Sequence, residues 1–492
     1  MILFFLSSGL FLGWSLGAND AANVFGTAVG TKMIKFKTAA LIASICVILG
    51  AVLEGSGATH ILGELGAVNT LPGAFAVAFA AGFTVTFMTR LRLPVSTSQA
   101  IVGAIIGWNI FSGSPTDLTS LTKIVLTWVL CPVISAFFAI ILYWITKYFL
   151  ENSKIHLITM DAITRTALII VGAFGAYSLG ANNIANVVGV FVPTSPFQEI
   201  LIGDFITISS VQQLFFLGAI AISIGVFTYS FKVMRTVGKD LFRLSPVTAF
   251  IVVLSHSLVL YLFASQGLRD WLLSHNLPAL PLVPVSSSQA VIGAIIGIAI
   301  AKGGRNIQWN VLGRISSGWV TTPVIAGLIA FVALFFVQNV FDQHVYHETV
   351  YAFPDVVIER LQEEDIPGDD LELLAGMEFG NIRRLNRYLN EIGVRDTEQR
   401  AKIRYYSAIL EMEISKLLLR QIAPEMLTSR QLMTLNSLKG QTFFFEWEFY
   451  ETLQQLSDEW RFKEETEENL EYNQDLRRIL QYLRELFLIR RK

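Results

Sequence analysis

The chain has 492 residues, 53% of them apolar and 15% charged, with 36 Phe and 36 Gly. An average soluble protein is roughly 25% charged, so an ordinary soluble enzyme is excluded. The near-neutral total hides an asymmetry: residues 1–341 carry 17 Lys and Arg against 10 Asp and Glu, and residues 342–492 carry 20 against 29. A lipid-bilayer part and an acidic part are therefore expected to join near residue 342. Cys46 and Cys131 both lie in apolar runs, which leaves no cysteine metal site or disulfide framework to read.

About 20 apolar residues are needed for a helix to cross the hydrocarbon core. Ten candidate segments follow in chain order, near 2–30, 37–57, 71–89, 94–111, 121–149, 163–193, 207–231, 246–264, 284–301 and 309–341. Ten is taken as a lower bound on spans. The first segment lacks a basic flank, so it is expected to be retained rather than cleaved. The fourth and ninth open with Pro and are rich in Ser and Gly, as broken or re-entrant elements are. Lys32, Lys35, Lys37, Arg90, Arg92, Lys232, Arg235, Lys239 and Arg243 mark the cytoplasmic side by the positive-inside rule. The loops 58–72 and 194–206 lack Lys and Arg and read as external, placing the N-terminus outside.

Three matches in the same order make an internal duplication. Ser15-Leu16-Gly17-Ala18-Asn19-Asp20 through Gly26 repeats as Ser178-Leu179-Gly180-Ala181-Asn182-Asn183 through Gly189, with nine identities in twelve. Pro94-Val95-Ser96-Thr97-Ser98-Gln99 through Gly107 repeats as Pro284-Val285-Ser286-Ser287-Ser288-Gln289 through Gly297, with eleven in fourteen. Trp128-Val129 with Pro132-Val133-Ile134 repeats as Trp319-Val320 with Pro323-Val324-Ile325. Repeat one is expected over about 1–150 and repeat two over about 160–341. The loops following matched segments differ in charge, which points to halves running in opposite directions, an inverted repeat.

Polar residues inside a membrane segment are costly and mark function by default. Asp20 lies between Asn19 and Asn23, and the spacing of three in Asp20/Asn23 and Asn183/Asn186 puts each pair on about one helix face. With Gly17 and Gly26 expected to loosen the helix, carbonyl and side-chain oxygens would suit a small cation. The alternative is that the asparagines only hold helices together. The Ser-rich stretches can each open a half-helix whose free N–H groups attract an anion, or can simply cap and pack through Gly103/Gly107 and Gly293/Gly297. His256 reads as a packing histidine, with a proton relay as the alternative, and Glu54 as a water-facing segment end. The sequence shows no Gly-rich Lys-Ser/Thr phosphate loop, so no ATP-driven engine, and no nucleic-acid surface.

Beyond Phe341 the chain reads as a soluble α-helical bundle of four or five helices over 342–492. Capping boxes are expected at Asp396/Gln399 and Thr428/Gln431, Ile403, Tyr406, Leu410, Ile414 and Leu417 are taken as one helical periodicity, and Pro424 as a break. The fold class is all-α, a polytopic membrane protein with inverted repeats, two Ser-rich helical hairpins and this bundle.

The run Gly17-Ala18-Asn19-Asp20-Ala21-Ala22-Asn23-Val24-Phe25-Gly26-Thr27-Ala28-Val29-Gly30 resembles the signature of the inorganic phosphate transporter (PiT) family, the sodium- or proton-coupled phosphate permeases. The likeness covers about residues 1–341. It implies phosphate among Ser96, Thr97, Ser98, Ser286, Ser287, Ser288, Asp20 and Asn183, and a sodium ion among Asp20, Asn23, Asn186, Gln99 and Gln289. It also implies a homodimer in the cell (inner) membrane. Many members carry Asp where this chain has Asn183, which bears on the coupling ions. The expected function is non-enzymatic: secondary active import of phosphate coupled to sodium, with proton coupling or sulfate as alternatives and a passive anion channel as a weaker one. No cofactor is implied, and the tail is expected to be cytoplasmic.

Overall fold

The computed structural model describes residues 2–489, apart from 67, 91–94, 154, 198–199, 203–205, 232–233, 235–243, 276, 305–308, 347–348, 365, 395, 420–421, 423–426 and 465–466. Pro94, Arg92, Lys232, Arg235, Lys239, Arg243 and Pro424 thus lie outside the described residues. The chain divides into two compact units, Met1–His347 and Glu348–Lys492.

In the first unit all ten apolar segments are helical: α1 (Ile2–Gly30), α2 (Phe36–Glu54), α4 (Leu71–Arg90), α5 (Thr97–Ser112), α6 (Leu118–Asn152), α7 (Leu157–Val188), α8 (Ser210–Thr228), α9 (Pro246–Leu262), α11 (Ser287–Ala301) and α12 (Trp309–Asn339). Short helices α3 (Thr59–Leu65) and α10 (Gln266–Ser274) and a two-stranded ladder, Ile200–Ile202 with Ile206–Ile208, sit between them. As spans, ten is too many. Among the described residues seven helices are long and apolar enough to cross, or eight if α9 and α10, bent by 70°, count as one. The Ser-rich α5 and α11, at 16 and 15 residues, rise only about 24 Å at 1.5 Å per residue, short of the hydrocarbon thickness. The outward faces are apolar, as at Phe79, Phe83 and Phe87 on α4 and Val129, Val133 and Phe137 on α6, while Asn, Ser and Gln point inward. That is the polarity lipid requires. This is an all-α polytopic membrane protein.

Residues that match in sequence make matched contacts, and the contacts cross between the halves. A Cβ on Gly17 would lie 1.9 Å from Ile222 O of α8, and one on its counterpart Gly180 would lie 2.2 Å from Val47 O of α2. Gly103 of α5 would meet Pro323 O of α12 at 2.1 Å, and Gly293 of α11 would meet Pro132 O of α6 at 2.2 Å. These four helices are thus each seated against backbone of the other half, where only a residue without a side chain fits. Pro132 and Pro323, matched in sequence, provide the two seats.

This packing corrects one expectation. Gly17 and Gly26 do not unwind α1, which is helical from Ile2 to Gly30; α7 likewise runs unbroken through Asn182, Asn183 and Asn186. Gly17 permits close approach to α8, and an intact helix keeps its carbonyls bonded within itself. The first unit also extends past Phe341, since Trp108 Nε1 donates to Val345 O at 3.0 Å.

The second unit holds eight described helices, more than the four or five expected, and two short ladders. Its first half places the strand Tyr351–Ala352 before helices Asp355–Glu363 and Gly368–Leu374, then pairs it with Glu378–Phe379, followed by helices Ile382–Glu391 and Thr397–Ser407. The second half repeats that order: Met412–Glu413, helices Lys416–Leu419 and Ser429–Ser437, the paired strand Thr442–Phe443, then Glu446–Leu456 and Glu467–Phe487. Gly376 and Gly440 occupy the same turn at φ +71° and +83°, a conformation that favours glycine. A third chain segment closes each ladder, at Ala408 on Tyr351 and Leu488 on Met412. Each half has its own apolar cluster, one around Leu371, Leu374, Leu385 and Leu389, the other around Leu435, Leu438, Phe449 and Leu453. Thr428 and Gln431 form the expected capping box. Asp396 caps its helix through the Glu398 amide and makes no box with Gln399. The periodicity from Ile403 to Leu417 is not one helix: it ends at Ser407, and Leu410 N bonds Phe444 O instead, leaving Leu417 exposed.

Candidate functional site

Ser96 and Ser286 start α5 and α11, each hydroxyl accepting the amide of the Gln three residues on, at 3.3 Å. The two helix starts are joined: Ser98 Oγ donates to Val285 O at 2.9 Å. The Asn motifs of α1 and α7 reach both. Asn19 Nδ2 donates to Val95 O at 3.3 Å, and Asn182 bonds Val283 O and the Val285 amide at 3.1 and 2.9 Å. The last asparagine of each motif crosses to the other half. Asn23 Nδ2 donates to Ser287 Oγ at 3.0 Å and Asn186 Nδ2 to Ser98 Oγ at 2.9 Å. Hydrogen bonds therefore bring both motifs and both Ser-rich starts to one place. Every residue expected there, Asp20, Asn23, Asn183, Asn186, Ser96, Thr97, Ser98, Gln99, Ser286, Ser287, Ser288 and Gln289, is buried.

The bonds divide these residues by what they have left to offer. Ser96 and Ser286 serve as caps, and Ser98 spends its proton on Val285 O. Thr97 Oγ1 and Asn183 Nδ2 make no hydrogen bond among the described residues, nor do the acceptors Gln99 Oε1, Asn186 Oδ1 and Gln289 Oε1. Buried polar groups are nearly always bonded, so five such atoms in one assembly make it the candidate binding site. Donors suit an anion, and carbonyl-type oxygens suit a hard cation. Asp20 Oδ1 accepts from Asn19 Nδ2 at 2.9 Å and Asn23 Nδ2 at 3.4 Å, and among the described residues it has no ion-pair partner. No group of three or more His, Cys, Asp or Glu is placed to hold a metal among the described residues.

His256, expected mainly to pack, stands beside the candidate site. Its Nε2 lies 2.9 Å from Ser287 Oγ, so it touches the site rather than merely packing in α9. Glu54 also differs from expectation: it caps α10, accepting from Ser265 Oγ and the Gln266 amide.

Crossed halves, two short Ser-rich helices and a buried polar centre are the features of a membrane transporter. The chain belongs to the Phosphate transporter family, whose model matches residues 16–268 and 279–484, and phosphate transport is that family's function. The match runs well past residue 341, where the resemblance was expected to stop. A relative from Methanocaldococcus jannaschii whose name assigns it to the phosphate permeases is 30% identical over 319 residues, 64% of this chain and 91% of that one. A relative of the same name from Pyrococcus horikoshii is 26% identical over 405 residues, 67% of this chain and 96% of its own length. A solved structure described as the sodium-dependent phosphate transporter aligns with a TM-score of 0.56 at 22% identity, covering 68% of this chain and 98% of that one, a likeness of fold.

Proposed function

We propose that this chain is a secondary active importer of inorganic phosphate driven by sodium, with Asp20 as the fixed charge of the cation site. The observation that carries this is a buried carboxylate held by the carboxamides of Asn19 and Asn23, with no cationic side chain bonded to it among the described residues, next to helix starts with donors to spare. An isolated buried charge is too costly to stand alone, so a mobile cation completes it. Asn23, Asn186, Gln99 and Gln289 supply further oxygens to that cation. Thr97, Ser287, Ser288 and Asn183 supply donors to phosphate, with Ser96, Ser98 and Ser286 shaping the helix starts around it. The name of the structural neighbour supports sodium as the coupling ion.

The two halves run inverted through a cell membrane. Phe4 stacks on Phe75, and a Cβ on Gly73 would meet Val345 O at 2.3 Å. The N-terminus and the start of the tail therefore lie on one side, and the cytoplasmic tail expected above does not go with an N-terminus outside. The transporter works as a homodimer.

Counterflow in proteoliposomes with labelled phosphate and sulfate, with and without a sodium gradient, tests the reading. Phosphate uptake should require the sodium gradient, because an uncompensated anion entering a negative interior works against about 2.3 kcal/mol per charge per 100 mV. Sulfate should be refused for want of a proton to give the site's acceptors. Asp20→Asn should weaken sodium and, through linkage, phosphate. Accumulation that persists with sodium and proton gradients collapsed would overturn coupling, and wild-type sodium dependence in folded Asp20→Asn would return the asparagines to helix packing.

A further inference from the structure

Resting on the phosphate reading above, we infer that His256 is a positioning residue for the anion, acting through the Ser287 hydroxyl. Ser287 Oγ has one proton to give and two lone pairs to receive with. Asn23 Nδ2 fills one lone pair at 3.0 Å, and His256 Nε2 sits against the oxygen at 2.9 Å. Two arrangements are open to this trio. If Nε2 accepts, the serine proton is consumed by the ring and Ser287 has nothing to donate. If Nε2 carries the proton and donates, both lone pairs are filled and the O–H is released toward a third partner.

The surroundings leave this choice to the ligand. The neighbouring hydroxyls Ser255 and Ser257 are both bonded to carbonyls of their own helix, Ile251 O and Val253 O. Nδ1 is buried with no partner among the described residues, so no protein group fixes the tautomer from the far side. An arriving phosphate oxygen supplies the acceptor that Ser287 lacks and selects the Nε2–H form. The ionisable groups in this neighbourhood are Asp20 on α1, which bonds Asn23, and Cys131 on α6, whose Sγ faces Ser286 O at 3.7 Å. α11 presents none, the Tyr261 ring on α9 packs on Phe174 of α7, and neither Asp20 nor Cys131 is bonded to the imidazole. The duplicated position of Ser287 is Thr97, whose Oγ1 is bonded to no histidine among the described residues. The histidine therefore sets one half of the site apart from the other.

The test measures phosphate KM, phosphate Vmax and sodium half-saturation for reconstituted full-length wild type, His256→Leu, His256→Gln, Ser287→Ala and the Ser287→Ala/His256→Leu double variant. Losing the bond that aims the Ser287 proton at a charged ligand should raise the phosphate KM up to about tenfold in His256→Leu, while sodium half-saturation measured at saturating phosphate moves less than twofold. Glutamine places an amide N–H where Nε2 stood and should recover most of that loss. In the Ser287→Ala background the leucine change should add less than twofold, because the group it acts through is gone. An unchanged KM in folded His256→Leu, or a full additive loss in the double variant, overturns the inference. If the leucine variant does not fold, His256→Gln against His256→Asn decides, since asparagine is too short to reach Ser287: equal KM values overturn it. A wild type that transports no phosphate would instead defeat the functional reading itself, so the two failures are distinguishable.

Discussion

Asn183 is the residue at which the chain departs from its own duplication, and its environment says what restoring an acid would do. Its Oδ1 accepts from Asn186 Nδ2 at 3.0 Å, a bond a carboxylate would keep, so Asn183→Asp should leave the protein folded. The added buried charge must recruit another cation or take up a proton. Uptake by Asn183→Asp across sodium concentrations and pH should therefore differ in steepness or pH dependence from wild type, and superimposable curves would show that this position does not face the ions. That the twelve candidate residues are buried together was legible because polar groups stand out in an apolar segment and because each stands in a duplicated frame. His256 was not, since a single histidine in an apolar helix carries no mark of which serine, 31 residues on, it meets.

At the scale of elements, the ten helices were visible in hydropathy, and the Gly103/Gly107 and Gly293/Gly297 spacings rightly suggested close packing. What they pack on was not, because a GxxxG spacing does not name its partner. Nor did the sequence tell whether Gly17 loosens α1 or lets α8 approach, as one residue type serves both ends. Gly103→Ala and Gly293→Ala should each destabilise the transporter by about 1–3 kcal/mol, since the new methyl would lie 2.1 or 2.2 Å from a carbonyl of Pro323 or Pro132. Gly267→Ala, with open space around it, should stay within about 0.5 kcal/mol. Thermal unfolding in detergent compares the three, and equal midpoints would mean the helices have room to spare. In the second unit, Glu364 accepts from the Tyr406 hydroxyl at 2.8 Å and sits 3.1 Å from Lys402 Nζ. The tyrosine hydrogen bond, then the lysine, with the charge of Arg360 beside them, hold its carboxyl below the ordinary 4.5. The stability this gives is complete above the ordinary value and is lost as pH falls through the lower folded one. Melting temperatures of residues 348–492 between pH 3 and 6 should thus fall more steeply for wild type than for Glu364→Gln; parallel curves would remove Glu364 from the acid response.

The whole molecule joins two duplications of different kinds. The one in the membrane unit was legible because its matches are short, polar and unlike their surroundings. The one in the second unit was missed because its signal, Leu371, Leu374, Gly376 and Phe379 against Leu435, Leu438, Gly440 and Phe443, consists mostly of residues that any small core uses. Its short strands also gave the false look of one long helix between Ile403 and Leu417. With all the site residues in the first unit, a chain ending after Tyr346, which keeps the Val345 carbonyl for Trp108, should still bind phosphate with the sodium dependence of the full chain. Equilibrium binding to the folded, purified short form is the measurement, and absence of binding would make the second unit part of the machinery.

The crossed seating of the helices also sets a timetable for biosynthesis. The first Ser-rich helix enters the bilayer long before the ribosome reaches Pro323, its seat, and Asn23 waits still longer in sequence terms for Ser287, 264 residues away. At about 5–20 residues per second that delay is on the order of tens of seconds, during which Asp20, whose like costs about 2.5–3.5 kcal/mol at the centre of a lipid-exposed helix, has no completed pocket around it. The nascent first half is thus a poorly satisfied guest of the membrane until its sequel arrives, and its survival depends on how quickly the second half is delivered.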